Sequence, residues 1–195
     1  MAKVWADRLS RDRDRTDWQL HPALFHRLLA RYGAQSVDLF ASSLNTHCPR
    51  FYSLPASPGC DAIDGLAQDW SSGNLWANPP FSKIALVLAK IVAEAATVTL
   101  IHPVWQAQAW WSEAVGRANE AFLLPRSAGL FEAGRSQRPT PNPHWRAAAL
   151  RFVSGGSPWP TPGAPTSALP WWVPPAAAAL PPLPSPSSGT CPYGM

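Results

Sequence analysis

Charge is scarce in this chain and vanishes toward its C-terminus: 14% of the 195 residues are charged, and none of those from Ser154 to Met195 is. In that stretch proline recurs every few positions among Ala, Ser, Gly and Thr. Such a composition excludes a helix or ladder of useful length and predicts a disordered, polyproline-like tail over residues 154–195. Cysteine is equally sparse. Cys48, Cys60 and Cys191 show no paired zinc spacing and leave one thiol over from any disulfide, so the chain reads as reduced or as holding a single Cys48–Cys60 bridge. Long apolar runs are missing too. Ala176 to Leu180 is too short to span a membrane, and the polar, charged stretch from Lys3 to Asp17 is not a signal peptide. These absences point to an intracellular protein, nuclear or cytoplasmic, with no membrane partner. Finally, no phosphate-cradling glycine loop, Ser/His/Asp triad or metal cluster is visible. His21, His26, His47, His102 and His144 are scattered, as surface or loop histidines are, and no metal site is expected.

What is present is an alternation of elements between residues 18 and 153, flanked by a charged segment, 1–17, and the tail. Pro22 opens a helix with Leu24, Phe25, Leu28 and Leu29 on one face, and Gly33 ends it. Ser36 to Phe40 reads as a buried strand, and Ala41 to Cys60 as a long stretch without periodicity. A short helix over 61–69, a strand over 74–77, a helix over 82–95, a strand over 97–102 and a helix over 105–117 follow. Strands over 120–124 and 147–153 close the series. Strands separated by helices imply a mostly parallel sheet covered on both faces, finished by an antiparallel edge pair from the last two strands.

The densest chemistry lies in Asn78-Pro79-Pro80-Phe81, between the apolar run Leu75-Trp76-Ala77 and the helical pattern from Ser82. That is the C-terminal edge of a strand, where open α/β sheets bind ligands. An amide side chain followed by a proline carbonyl presents two acceptors in a stiff frame, enough to hold an exocyclic amine. An adjacent aromatic ring can stack on the base that carries it. The same tetrapeptide also reads as a rigid strand-to-helix turn capped by Asn78 or Ser82. Charge is divided unevenly: residues 18–125 nearly cancel, whereas Arg126, Arg135, Arg138, Arg146 and Arg151 face Glu132 alone. Such a Pro/Gly-rich basic segment suits phosphates, or serves only as a solvated loop.

Several short motifs occur in one order. Trp18 and Pro22 precede the first helix, Asp38-Leu39-Phe40-Ala41-Ser42 ends the first strand, and Asn45 with Pro49-Arg50-Phe51 comes next. Ala67-Gln68-Asp69-Trp70-Ser71 then leads into Asn78-Pro79-Pro80-Phe81. In order and spacing this chain resembles the phage-type DNA N6-adenine methyltransferase family over most of residues 17–153. A second likeness lies in front. Ala6-Asp7-Arg8-Leu9-Ser10-Arg11, running on into Asp17-Trp18-Gln19-Leu20, is similar to the end of the ribonuclease H domain in polyproteins of tyrosine-recombinase-class retrotransposons. The other carboxylates of such a domain are absent, so no ribonuclease activity is expected.

The family resemblance implies a reduced Rossmann-like α/β methyltransferase sheet and S-adenosylmethionine as cofactor, with DNA as the partner. It implies Trp18, Pro22, Asp38, Phe40, Ala41, Ser42, Asp69 and Trp70 as cofactor contacts, with Asp69-Trp70 near the adenosine. It makes Asn78 and the Pro79 carbonyl the amine acceptors, Pro80 part of their frame and Phe81 the stacking ring. Arg126, Arg135, Arg138 and Arg146 are the expected nucleic-acid contacts. Asp38 also reads as a loop cap, and Trp70 as core. The turn after the first strand lacks the usual glycines, His21 stands where threonine is usual, and Phe81 replaces the commoner tyrosine. The stretch between the first strand and the Asn-Pro-Pro strand is too short for the two further strands and helices of a full sheet. Active adenine methylation, nucleic-acid binding by a catalytically inactive methyltransferase-like domain of a retrotransposon protein, and an inert fragment are the three readings this leaves.

Overall fold

The computed structural model describes residues 18–126, 129–133, 138–139 and 145–156. The expected tail beyond 156 and the charged segment 1–17 lie outside the described residues. The elements are β1 (Trp18–Leu20), α1 (Pro22–Tyr32), β2 (Val37–Asp38), β3 (Tyr52–Ser53), β4 (Ala62–Ile63) and β5 (Leu75–Ala77). After them come α2 (Ile84–Ala93), β6 (Val98–Pro103), α3 (Trp111–Arg117), β7 (Glu120–Leu123), β8 (Phe131–Ala133), β9 (Arg138–Pro139) and β10 (Ala147–Phe152).

A mixed α/β architecture results, built on a five-stranded sheet of order β2-β5-β6-β10-β7. The β2–β5 and β5–β6 pairings are parallel, whereas β10 runs antiparallel to both β6 and β7. Within these five strands parallel and antiparallel pairings are therefore equal in number. The expected antiparallel pair forms, but only β7 is at the edge. All six residues of β10 are buried, as its Ala-rich apolar sequence requires between two neighbours, while the half-buried residues of β7 suit an edge.

Period-two alternation sorts the core into two layers. Leu75, Ala77, Val98, Leu100, Leu150 and Phe152 pack with Ile84, Val87, Leu88 and Ile91 of α2 and Ala114 of α3. On the other face Trp76, Ile101, Ala147 and Ala149 meet Leu24, Phe25 and Leu28 of α1. Helices thus cover both faces. The start of α1 is pinned by Pro22 at its first turn and by the His21 ring, which accepts a hydrogen bond from the Ala23 N–H at 3.2 Å. His21 thereby does the capping that the usual threonine would do. At the other end Gly33, at φ 80, turns the chain and donates to the Leu29 carbonyl.

Three local expectations change. The strand expected over 36–40 is confined to Val37–Asp38, because Leu39 and Phe40 already turn. The short helix expected over 61–69 is a strand, β4, followed by a single 3-10 turn at Gly65–Ala67. The helix expected from Trp105 begins only at Trp111. Before it, tight turns carry Gln108 N–H to the Trp105 carbonyl and Trp111 N–H to Gln108. The stretch read as too short for further strands does hold two, each of two residues. β3 and β4 pair in parallel, and a parallel bridge from Phe51 to Asp38 attaches them beside β2. Spatial order across the bridge is β4-β3-β2-β5-β6-β10-β7. β1, β8 and β9 form a separate three-stranded sheet. Cys48 and Cys60 are both free thiols.

Candidate active site

Because β2, β5 and β6 run in parallel, their C-terminal ends share one edge of the sheet, and the first residues of β10 arrive there from the opposite direction. Asn78 follows β5 directly. Its Nδ2 donates to the Trp18 carbonyl at 3.1 Å, which fixes the amide plane. Among the described residues neither Asn78 Oδ1 nor the Pro79 carbonyl accepts a hydrogen bond. Two acceptors on adjacent residues therefore stay available. Pro79 is buried and Pro80 exposed, with the Pro80 carbonyl taking the Lys83 N–H at 2.8 Å as the chain enters α2. Neither Asn78 nor Ser82 caps that helix.

Phe81 stays 39% exposed at the mouth of this edge. Its ring meets Trp105 at 4.9 Å and Trp145 at 5.2 Å, both near a right angle. Behind Trp145 lies Phe131 at 5.7 Å, and Trp18 is 6.3 Å from Phe131. Trp18 and Phe81 are thus brought into one aromatic cluster, whose further members Trp105 and Trp145 the sequence reading missed. Their only signal is register: each lies two residues beyond the pair Pro103–Ala147 of the β6–β10 ladder.

The turn after β2 is different in kind. Asp38 is buried on the α1 face, where its two carboxylate oxygens accept from the Phe40 N–H at 3.4 Å and the His47 N–H at 3.3 Å. Burial pushes its pKa up to about 7 against the opposing pull of these two N–H groups. No cation pairs with it among the described residues. Ala41 N–H goes to the Tyr52 carbonyl, Ser42 N–H to Asn45 Oδ1 at 2.7 Å, and Leu44 N–H to Ser42 Oγ. Those bonds shape the turn without the usual glycines. His47 stacks on Phe25 at 4.3 Å, and burial lowers its pKa to about 4. It is neutral at physiological pH, so Nε2–H donates to the Leu20 carbonyl at 2.7 Å.

Trp70 backs this turn: its ring meets Phe40 at 6.3 Å, near a right angle. The Trp70 N–H donates to Glu94 and its ring lies 5.4 Å from the Lys90 ammonium, both at the far end of α2 from Asn78. Trp70 is fully buried, with Nε1–H bonded to the Gly65 carbonyl at 2.7 Å. It is core, not an open aromatic face. The exposed Asp69 carboxylate accepts from the N–H and Oγ of Ser71, which hold its pKa below the usual range. The acid at the strand-end edge is instead Asp64, just after β4. It adopts φ 55, a left-handed conformation uncommon outside glycine, and accepts from the Leu66 N–H. A Cβ on the next residue, Gly65, would come within 2.2 Å of the Leu39 carbonyl, so only glycine lets this loop lie against the end of β2.

Of the expected phosphate contacts, Arg126 and Arg146 are exposed, after β7 and before β10. Arg138 lies on β9, opposite Ala133, and Arg135 lies outside the described residues. Pro22 serves as the first residue of α1. Among the described residues no group of three or more His, Cys, Asp or Glu could hold a metal, and no helix is long and apolar enough to cross a membrane. The acceptors at this edge suit a cofactor bearing amino and hydroxyl groups. They stand on Asp64, Asp38 and Asn78 at the ends of β4, β2 and β5, with half-buried Phe40 and Leu66 packed on the adjoining core.

The family described as "DNA N-6-adenine-methyltransferase (Dam)" matches residues 8–152. A DNA N-6-adenine-methyltransferase of Escherichia phage T1 is 27% identical over 142 residues, covering 71% of this chain and 54% of that protein. The chain spans about half the length of this curated relative.

Proposed function

The chain belongs to the DNA N-6-adenine-methyltransferase family, and we propose that it transfers a methyl group from S-adenosylmethionine to the N6 amine of adenine in DNA. The observation that carries this reading is the amide of Asn78, turned by the Trp18 carbonyl so that Oδ1 stays free beside the Pro79 carbonyl. Those two acceptors hold the two hydrogens of the exocyclic amine and direct its lone pair. The adenine amine is a weak base, so most of the rate comes from positioning rather than from proton abstraction. Phe81 stacks on the base. When bound, S-adenosylmethionine supplies an electrophilic methyl on sulfur. The S–CH3 bond would break as the N–C bond forms, its electron pair staying on sulfur as a neutral thioether, and the proton lost by the amine would pass to solvent.

The spatial order β4-β3-β2-β5-β6-β10-β7, read as one Rossmann-like sheet, supports a cofactor lying over the ends of β2 and β4. Asp38 and the Phe40-Ala41-Ser42 turn would hold the methionine portion, with Trp18 and Pro22 closing that end. The adenosine falls to Asp64 rather than to Asp69, because Asp64 stands at the strand end while the Asp69 carboxylate is taken by Ser71, and Trp70 backs that end through Phe40. Arg126 and Arg146 would meet phosphates together with Arg135 and Arg138. Replacing Arg126 and Arg146 by Ala should then lower the slope of log affinity against log salt by about one unit for each phosphate no longer neutralised. The likeness of residues 6–20 to the end of a retrotransposon ribonuclease H supports a retroelement polyprotein as the setting.

A second reading, nucleic-acid binding without transfer, draws on one observation: the turn after β2 spends its polar groups on itself. Incubation with methyl-labelled S-adenosylmethionine and adenine-containing DNA, followed by nucleoside analysis, decides between the two. Labelled N6-methyladenine is expected. DNA binding with no labelled product would leave only the second reading.

A further inference from the structure

Two indoles stand where the β6–β10 ladder runs out. Beyond the pair Pro103–Ala147, the Val104 N–H donates to the Arg146 carbonyl at 2.7 Å, and Trp105 and Trp145 are the next residues outward on each side. Their ring centroids are 6.4 Å apart. The same backbone pairing that ends the sheet therefore sets the separation of the two rings. Each meets Phe81 edge to face, at 76° for Trp105 and 90° for Trp145, the arrangement that aromatic quadrupoles favour. Phe131 supports Trp145 from behind. A phenyl ring with two perpendicular neighbours packed against it cannot turn about its own axis without driving an edge into one of them. Even so, 39% of Phe81 remains exposed, enough to leave room for a flat partner. The open acceptors of Asn78 and Pro79 lie within three residues of it along the chain.

Resting on the adenine-transfer reading, we propose that Trp105 and Trp145 are positioning residues that lock the plane of Phe81 and border the slot of the purine base that stacks on it. A base lying flat on Phe81 is close to perpendicular to both indoles. The part of Phe81 that they leave exposed is what remains for that base, which on the adenine-transfer reading is a nucleotide out of its helix or in a single strand. The exposed Arg146, adjacent to Trp145, is placed for the phosphate of that nucleotide.

A single-stranded oligonucleotide carrying 2-aminopurine at the target position tests this with the full chain and without cofactor, because stacking quenches its fluorescence. The wild-type chain should quench it. Trp105→Leu and Trp145→Leu, measured separately, should each weaken binding on the order of tenfold and remove most of the quenching. Trp105→Phe and Trp145→Phe should restore both, which a purely structural loss would not do. Methyl transfer to the adenine oligonucleotide is followed on the same preparations, with circular dichroism as the check on fold. Should one leucine variant fail to fold, the other and both phenylalanine variants still decide. Transfer by the wild type, together with quenching by the leucine variants that matches wild type, overturns the slot and leaves the transferase reading standing. Quenching that depends on the two tryptophans without any transfer supports the slot and overturns transfer. No quenching by a folded wild-type chain overturns the slot outright.

Discussion

Two asparagines bracket β5, and they do opposite work. Asn74, before the strand, is used completely: its Nδ2 donates to the Tyr32 and Ala34 carbonyls at 2.9 Å each, and its Oδ1 takes the Arg151 guanidinium at 2.7 Å. Arg151, buried between strands, also reaches Thr99 at 2.9 Å and lies over the Tyr32 ring. Burial pulls its pKa down, against the opposing pull of Tyr32 and Glu120. Asn78, only four residues on, makes one hydrogen bond and leaves its oxygen open among the described residues. One edge of the sheet is a closed network that holds strands together. The other carries acceptors that no hydrogen bond among the described residues uses, and the proposed function assigns them to a ligand's donors.

This contrast breaks most visibly at Asn78. Asn78→Ala should lower methyl transfer a hundredfold or more, about 3 kcal/mol in the barrier, since it removes an oriented hydrogen bond to the reacting amine. Thermal stability should change little, because the substitution removes only one half-exposed hydrogen bond to Trp18. Asn74→Ala should do the reverse. It strands two carbonyls and a buried guanidinium, so unfolding in denaturant should show a loss of about 2 kcal/mol, while transfer per folded molecule stays near wild type.

Asp38 sharpens the comparison from a third position, at smaller amplitude. Its carboxyl titrates at about 7 in the fold and near 4 when unfolded. Between those values the folded state holds the proton more tightly, so this group's contribution to stability is complete below pH 4 and is lost as pH rises through 7. Denaturant midpoints taken across that window should fall with a slope of up to about 1 kcal/mol per pH unit, and Asp38→Asn should flatten it. A slope unchanged in the variant would remove Asp38 as its cause.

Much of this could be read from local sequence. Pro22 and Gly33 bound α1 because each does its work within a turn, and Asn78-Pro79-Pro80-Phe81 announces itself because two prolines after an apolar run leave few backbone options. What stayed hidden depends on distant partners. β3 and β4 are too short to show any periodicity, and they exist because Phe51 reaches Asp38. Trp105 and Trp145 become neighbours only through the β6–β10 register. Trp70 read both as a cofactor contact and as core, and the partners that bury it, Glu94, Gly65 and Phe40, lie too far along the chain for a local pattern to show. Asp64 gave no signal of its own, since its left-handed backbone and the close approach of Gly65 to Leu39 appear only in three dimensions.

The most direct test is isothermal titration of S-adenosylmethionine into wild type and Asn78→Ala in parallel, with methyl transfer measured on the same samples. Asn78 is assigned to the substrate amine and not to the cofactor. The account therefore predicts that both proteins bind the cofactor with nearly equal affinity while only wild type methylates adenine. Loss of cofactor binding in Asn78→Ala, or transfer that persists in it, would contradict the account.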